Sequence, residues 1–234
     1  MASYLIEFRL RGFAKRYSQE LIKEIARRFR VRGMKDKVSH ITLYGPFTTN
    51  NERRMVSEVL NLCRQYNRVY FSIKGIDYFN NPSNKVVYLD INPSEDLKKF
   101  RFELSSKLRG IASTISKEDS RSQEDFKFHS TIAFKDIDNK FKQILDHLNS
   151  KRHPNIRQIL LRVTIIRNGK ILNEYDFIQK RLFNRRQSLN KQIWMRTIQM
   201  LKQNYFSAPK KFFNITPKQN KSIWEKIKLF FLKK

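Results

Sequence analysis

Cysteine is nearly absent: Cys63 is the only one in 234 residues. A single thiol excludes an internal disulfide and a thiolate-held metal cluster. Val59, Leu60 and Leu62 around it place Cys63 on an apolar helical face, as a buried thiol. No apolar run reaches the roughly 20 residues that a membrane span needs, and no leader precedes the strand-like Tyr4-Leu5-Ile6-Glu7-Phe8. A protein of a reducing cytoplasm is the expectation. Acidic residues are scarce as well, with 21 Asp and Glu against 49 Lys and Arg, a formal charge of +28 and a pI near 10.4. A field of that sign draws polyanions, either nucleic acid or an anionic membrane surface, and says nothing about fold.

Histidine is rare too, at four residues, yet two of them stand in matching settings. Ser39-His40-Ile41-Thr42-Leu43 and Phe128-His129-Ser130-Thr131-Ile132 both carry His-x-Thr, 89 positions apart. In an extended strand, residues i and i+2 project to one face. His40 and Thr42 then share a side against Ile41 and Leu43. His129 and Thr131 repeat the arrangement against Ser130, Ile132 and Phe134.

The length suits one domain with an appendage, or two small lobes. A hydrophobic content of 40%, with 19 Phe, allows a substantial core. Apolar periodicity predicts a strand over 3–10, then a helix over 18–30 with Ser18 as N-cap. The first signature strand follows over 38–44, closed by Gly45-Pro46. A helix over 51–66 leads to strands over 68–75 and 85–91, which flank the turn-rich Asn80-Asn81-Pro82-Ser83-Asn84. The order then repeats. A helix over 94–109 carries Leu97, Phe100, Leu104 and Leu108 on one stripe, and the second signature strand spans 127–134. A helix over 138–149 and strands over 157–167 and 170–178, turning at Asn168-Gly169, complete it. The expected fold is α+β: two antiparallel sheets in a bilobal, pseudo-two-fold arrangement, with helices outside and the His-x-Thr strands facing a central cleft.

Cleaving a phosphodiester without a metal requires one group to take a proton from the attacking hydroxyl and another to give one to the departing oxygen. Imidazole suits both roles because its ordinary pKa lies near neutrality, and such help is worth about 10² to 10⁴ in rate. His40 and His129 are the candidates, with the assignment of acid and base left open. The Thr42 and Thr131 hydroxyls can each donate to a non-bridging phosphate oxygen. A metal site is short of ligands, since no Asp or Glu adjoins either signature. A serine-type triad lacks its strand-turn-helix elbow. Histidines on the polar face of a half-exposed sheet need no task. His147, near a helix end where it complements the dipole, and His153, before Pro154, are read in that way.

These residues resemble the 2H (two-histidine) phosphoesterase superfamily, whose mark is two His-x-Thr/Ser motifs on facing strands of a bilobal α+β fold. Within it they look like the RNA 2′,3′-cyclic phosphodiesterases, or 2′-5′ RNA ligases. The resemblance covers about 1–183. It includes Val86-Val87-Tyr88-Leu89-Asp90-Ile91 before a Leu97-bearing helix, and Glu174-Tyr175-Asp176-Phe177 as a closing strand. It implies that His40 and His129 are the catalytic pair and that Thr42 and Thr131 hold the phosphate. No cofactor or metal is implied, and the substrate is RNA or an oligonucleotide. Tyr44-Gly45-Pro46-Phe47 departs from the pattern of the bacterial enzymes. The implied activity is hydrolysis of a 2′,3′-cyclic phosphate at an RNA end, with ligation as the reverse. Two alternatives stand beside it: the same site acting on 2′-5′-linked or cyclic oligonucleotides, or a basic RNA-binding module without turnover.

Residues 184–234 lie outside that resemblance and form a basic, aromatic-rich extension, with 13 Lys and Arg against the single acid Glu225. Leu189, Ile193, Met200 and Leu201 suggest one amphipathic helix. Ile223, Trp224, Ile227, Phe230 and Phe231 suggest another. Three readings stay open: nucleic-acid contact through cations and stacked aromatics, association with an anionic membrane surface, or docking of the apolar stripes on the domain or a second copy.

Overall fold

The computed structural model describes residues 1–206 apart from 82–83, 123–124 and 152–154. His153 and the helix expected around Ile223–Phe231 lie outside the described residues. In chain order the elements are β1 (Ser3–Arg9), α1 (Gly12–Phe29), β2 (His40–Thr48), α2 (Glu52–Gln65), β3 (Val69–Asn81) and β4 (Asn84–Pro93). Then come α3 (Glu95–Arg109), β5 (His129–Phe134), α4 (Phe141–Asn149), β6 (Ile156–Leu160), β7 (Arg162–Arg167) and β8 (Lys170–Asp176). The last are β9 (Arg181–Asn184), α5 (Arg185–Ser188) and α6 (Lys191–Phe206). The fold is α+β, with two antiparallel sheets ordered β2-β1-β7-β8-β9 and β5-β4-β3-β6.

Local signals place several elements where the sequence predicts them. The Asn51 side chain caps α2 by accepting from Arg54 N–H at 3.0 Å, and Ser94 caps α3 through Leu97 N–H at 3.2 Å. The β7–β8 hairpin turns at Asn168 and Gly169, both at positive φ (47° and 73°), as a tight antiparallel connection demands.

β3 runs six residues past its expected end at 75, to Asn81, and three other differences have a visible cause. First, α1 begins at Gly12, six residues before the expected cap. Ser18 lies inside the helix on its buried face with Ala14, Leu21, Ile22 and Ile25, and its hydroxyl bonds Ser39 at 2.8 Å instead of capping a terminus. Second, β2 does not stop at Gly45-Pro46 but runs on to Thr48. Pro46 is accommodated on an edge strand where the β1–β2 register shifts, between Tyr4 and Ile6. Third, the strand expected over 157–167 is two strands separated at Leu161. β6 pairs with β3, while β7 lies in the middle of the other sheet between β1 and β8. An unbroken apolar run gives no local sign of that change of partner.

The two halves of the sequence are interlaced. β7, β8 and β9 complete the sheet that holds β1 and β2, while β5 and β6 border the sheet built on β3 and β4. One hydrophobic cluster joins both sheets, drawing on Ile6, Phe8 and Leu43 from one and on Ile73, Leu89 and Ile132 from the other. Cys63 is buried in α2, and burial pushes its thiol well above the usual range.

The boundary expected at 183/184 has packed structure on both sides. α5 contacts β8, and Thr197 of α6, fully buried, accepts from Arg162 at 2.9 Å and donates to Asp176 at 2.6 Å. Leu189 stands outside α6 and is exposed. No helix among the described residues is long and apolar enough to cross a membrane.

Candidate active site

Both signatures adopt the pleat that their spacing predicts. Along β2, Ile41 and Leu43 are buried while His40 and Thr42 are half-exposed. Along β5, Ser130 and Ile132 are buried while His129 and Thr131 are half-exposed. β2 and β5 are the edge strands of their respective sheets, and they pass within 8 Å of one another at the Cα level. His40 and His129 interact electrostatically across that junction, the charge of one acting on the other.

The two imidazoles are tethered alike. Nδ1 of His40 lies 2.8 Å from the Val38 carbonyl oxygen, and Nδ1 of His129 lies 2.9 Å from that of Lys127. Each ring is held by the backbone two residues upstream. A carbonyl can only accept, so Nδ1 carries a proton in both rings. Neither Nε2 has a hydrogen-bond partner among the described residues, so that atom of each ring is open to proton exchange.

Their surroundings differ. Register places Glu7 opposite Thr42 and Arg9 opposite His40. The Glu7 carboxylate, buried, takes a 2.6 Å ion pair from Arg9 and lies 3.7 Å from His40 Nδ1. His129 sits among rings, with centroid distances of 5.2 Å to Phe79 and 5.1 Å to Tyr88. Burial pushes its imidazole below the ordinary value. The Lys127 carbonyl and the Glu118 carboxylate act in the opposite sense, and the charge of His40 lowers it again. Glu118 is placed by its neighbour: buried Asp119 accepts Gly45 N–H of β2 at 2.8 Å and pairs with buried Arg101 at 3.3 Å, which pins the segment to both β2 and α3.

The signature face of the β2 sheet continues away from the site. Across the ladder, Thr42, Glu7, Thr164, Glu174 and Phe183 are successive neighbours on that face. Beyond β1 it is covered by α6. Buried Arg162 pairs with Glu174 at 2.8 Å and Asp176 at 2.7 Å, and Trp194 lies 5.0 Å from its guanidinium and 4.9 Å from that of Arg11. With adjacent strands about 4.8 Å apart, α6 flanks the His40 row at roughly 10 Å. The first part of the basic extension is therefore docked beside the candidate site.

Glu7, Phe79, Tyr88 and Glu118 escaped the sequence reading. For Glu7, a signal exists: it is a charged residue inside an otherwise apolar strand. Phe79 and Glu118 carry no such mark, because only the packing brings them to His129. His147, outside the site, pairs with Glu24 at 2.7 Å, a partner the helix-dipole reading did not include. Among the described residues, no group of three or more His, Cys, Asp or Glu is placed to hold a metal ion.

A comparison with curated protein sequences found no match. Among solved structures, the chain is similar to Kluyveromyces marxianus Usb1 with uridine monophosphate, at 14% identity and TM-score 0.45, over 73% of this chain and 96% of the other. It is also similar to a crystal structure of a phosphoesterase, at 13% identity and TM-score 0.39, over 78% and 92%. Likeness at that level adds nothing to the assignment, which rests on the family model of the 2′-5′ RNA ligase superfamily, matched over residues 14–170. That match includes both His-x-Thr strands and the whole β5-β4-β3-β6 sheet, and the chain belongs to the 2′-5′ RNA ligase superfamily of 2H phosphoesterases.

Proposed function

We propose that the protein opens 2′,3′-cyclic phosphates at RNA ends, with His129 as general base and His40 as general acid. The observation that carries this reading is the shared tether: two Nδ1 atoms held on carbonyls, two free Nε2 atoms, and a threonine hydroxyl two residues along from each. Burial among Phe79 and Tyr88 disfavours charge on His129, so that ring is ready to accept a proton at neutral pH. His40, with the Glu7 carboxylate 3.7 Å from its Nδ1, takes the role of acid.

In the reaction, water attacks phosphorus while its proton passes to His129 Nε2. One of the two P–O bonds to the ribose breaks, and its oxygen takes the proton from His40. A phosphate monoester and a free ribose hydroxyl result. Thr42 and Thr131 donate to the non-bridging oxygens, where negative charge builds up. With a ribose 5′-hydroxyl as the nucleophile in place of water, the same transfers join two ends.

The test is a panel of RNA with a 2′,3′-cyclic end, a 2′-5′-linked oligonucleotide and a cyclic oligonucleotide, each incubated with full-length protein in EDTA. Preferred turnover of the first supports the proposal. Preferred turnover of either other substrate keeps the site and reassigns its substrate. Salt-sensitive RNA binding without turnover of any makes the protein a binding module.

A further inference from the structure

The loop that leads into His40 is fastened to the strand that carries His129. Asp136, two residues past β5, accepts hydrogen bonds from Arg32 N–H and, at 3.0 Å, from Gly33 N–H. Gly33 lies so close to the end of β5 that a Cβ at that position would stand 2.0 Å from the Phe134 carbonyl oxygen. Two tight turns follow, Lys35 N–H to Arg32 O at 3.0 Å and Lys37 N–H to Met34 O at 3.1 Å, with Met34 buried beneath them. Three residues after Lys37 the chain becomes β2 at His40. One short loop thus bridges the two signature strands and is held firmly at both ends.

Its outer side is strongly basic. Arg27, Arg28, Arg30, Arg32, Lys35 and Lys37 are all exposed, and Asp36 is the one acid between residues 25 and 39. Arg27 and Arg28 have a local reason to be there, since cations stabilise the C-terminal end of a helix. Arg32, Lys35 and Lys37 lie beyond α1, and none has an acidic partner among the described residues. Both oxygens of the Asp136 carboxylate are already engaged by the Arg32 and Gly33 backbone N–H groups. Unpaired like charges at this density repel one another, and a polyanion laid along them relieves that repulsion and releases counterions.

The geometry points to residues 27–37, centred on Arg32, Lys35 and Lys37, as a track for the phosphates of the RNA chain leading to the reacting end. The preferred substrate is then an oligonucleotide rather than a mononucleotide. This inference rests on the reading of His40 and His129 as an RNA-end site, but its test does not depend on turnover.

Binding of a short, fluorescently labelled single-stranded RNA to the full-length protein is measured by anisotropy over a range of salt concentrations. The set Arg32→Glu, Lys35→Glu and Lys37→Glu is compared with Arg53→Glu, Arg54→Glu and Arg64→Glu on α2, which changes the net charge equally. At about 0.1 M salt the loop set is expected to lose at least ~10-fold in affinity. Its log–log salt slope should become shallower by roughly 2, at about 0.7 per phosphate contact. The α2 set should lose less than about 3-fold and keep its slope. The neutral set Arg32→Gln, Lys35→Gln and Lys37→Gln should reproduce the slope change if charge reversal perturbs folding. Equal losses in the two reversed sets, or an unchanged slope in both loop sets, overturn the track. A wild type that binds through this loop yet turns over no substrate defeats the catalytic reading and upholds this one.

Discussion

The ring of His129 stands perpendicular to that of Phe79, with centroids 5.2 Å apart. An aromatic neighbour of this kind excludes water without offering a charge, so it favours the neutral imidazole. The acid limb of kcat/KM for cyclic-phosphate hydrolysis should therefore fall below pH 6.5, the ordinary imidazole value. Phe79→Ala readmits water, raises the pKa of His129 and should move that limb upward. A limb at or above 6.5 in the wild type, unmoved in the variant, removes His129 from the role of base.

Replacing either histidine tests the pair. His40→Ala and His129→Ala should each lower kcat by about 10² to 10⁴. The unfolding midpoint should change by much less than the rate, because each ring is only half-buried and its one hydrogen bond is to a backbone carbonyl. Unchanged turnover in both variants refutes the site.

The threonines should act on the rate more than on binding. Thr42→Val and Thr131→Val keep the side-chain shape and remove the donor, and each is expected to cost about 10² to 10³ in kcat. Single-turnover kinetics separates this from a binding defect. A rise in KM alone would make them ground-state contacts.

The docking of α6 is a matter of stability. Arg162→Ala leaves the Asp176 carboxylate buried with no cationic partner among the described residues and Glu174 with Arg11 alone, at a cost of about 3–5 kcal/mol. Thr197→Val removes two buried hydrogen bonds and should cost about 1–3 kcal/mol. A chain ending at residue 183 loses both Thr197 and the Trp194 cover, and should unfold at a lower denaturant midpoint than the full chain. Equal midpoints would show that 1–183 is a self-sufficient unit.

Much of the geometry within each signature strand is legible in the sequence. His40 and Thr42 share a face because side chains alternate along a strand, and His129 and Thr131 do so for the same reason. The turn at Asn168-Gly169 is equally local. Ser18 misled because a serine on the buried side of a helix looks like a cap until its partner, Ser39, is known. The run from Ile156 to Arg167 misled because a strand's apolar pattern records that it is buried, not which sheet buries it.

The amino-acid order alone set the side-chain pattern of each strand and helix, the excess of positive charge and the duplication of His-x-Thr, all of which follow from spacing along the chain. The tertiary structure alone decided that β2 and β5 became neighbouring sheet edges, that Glu7 and Phe79 gave the two imidazoles unlike surroundings, and that α6 settled over Arg162. Those outcomes depend on contacts between residues far apart in the chain, and such contacts are chosen by the packing of the whole core.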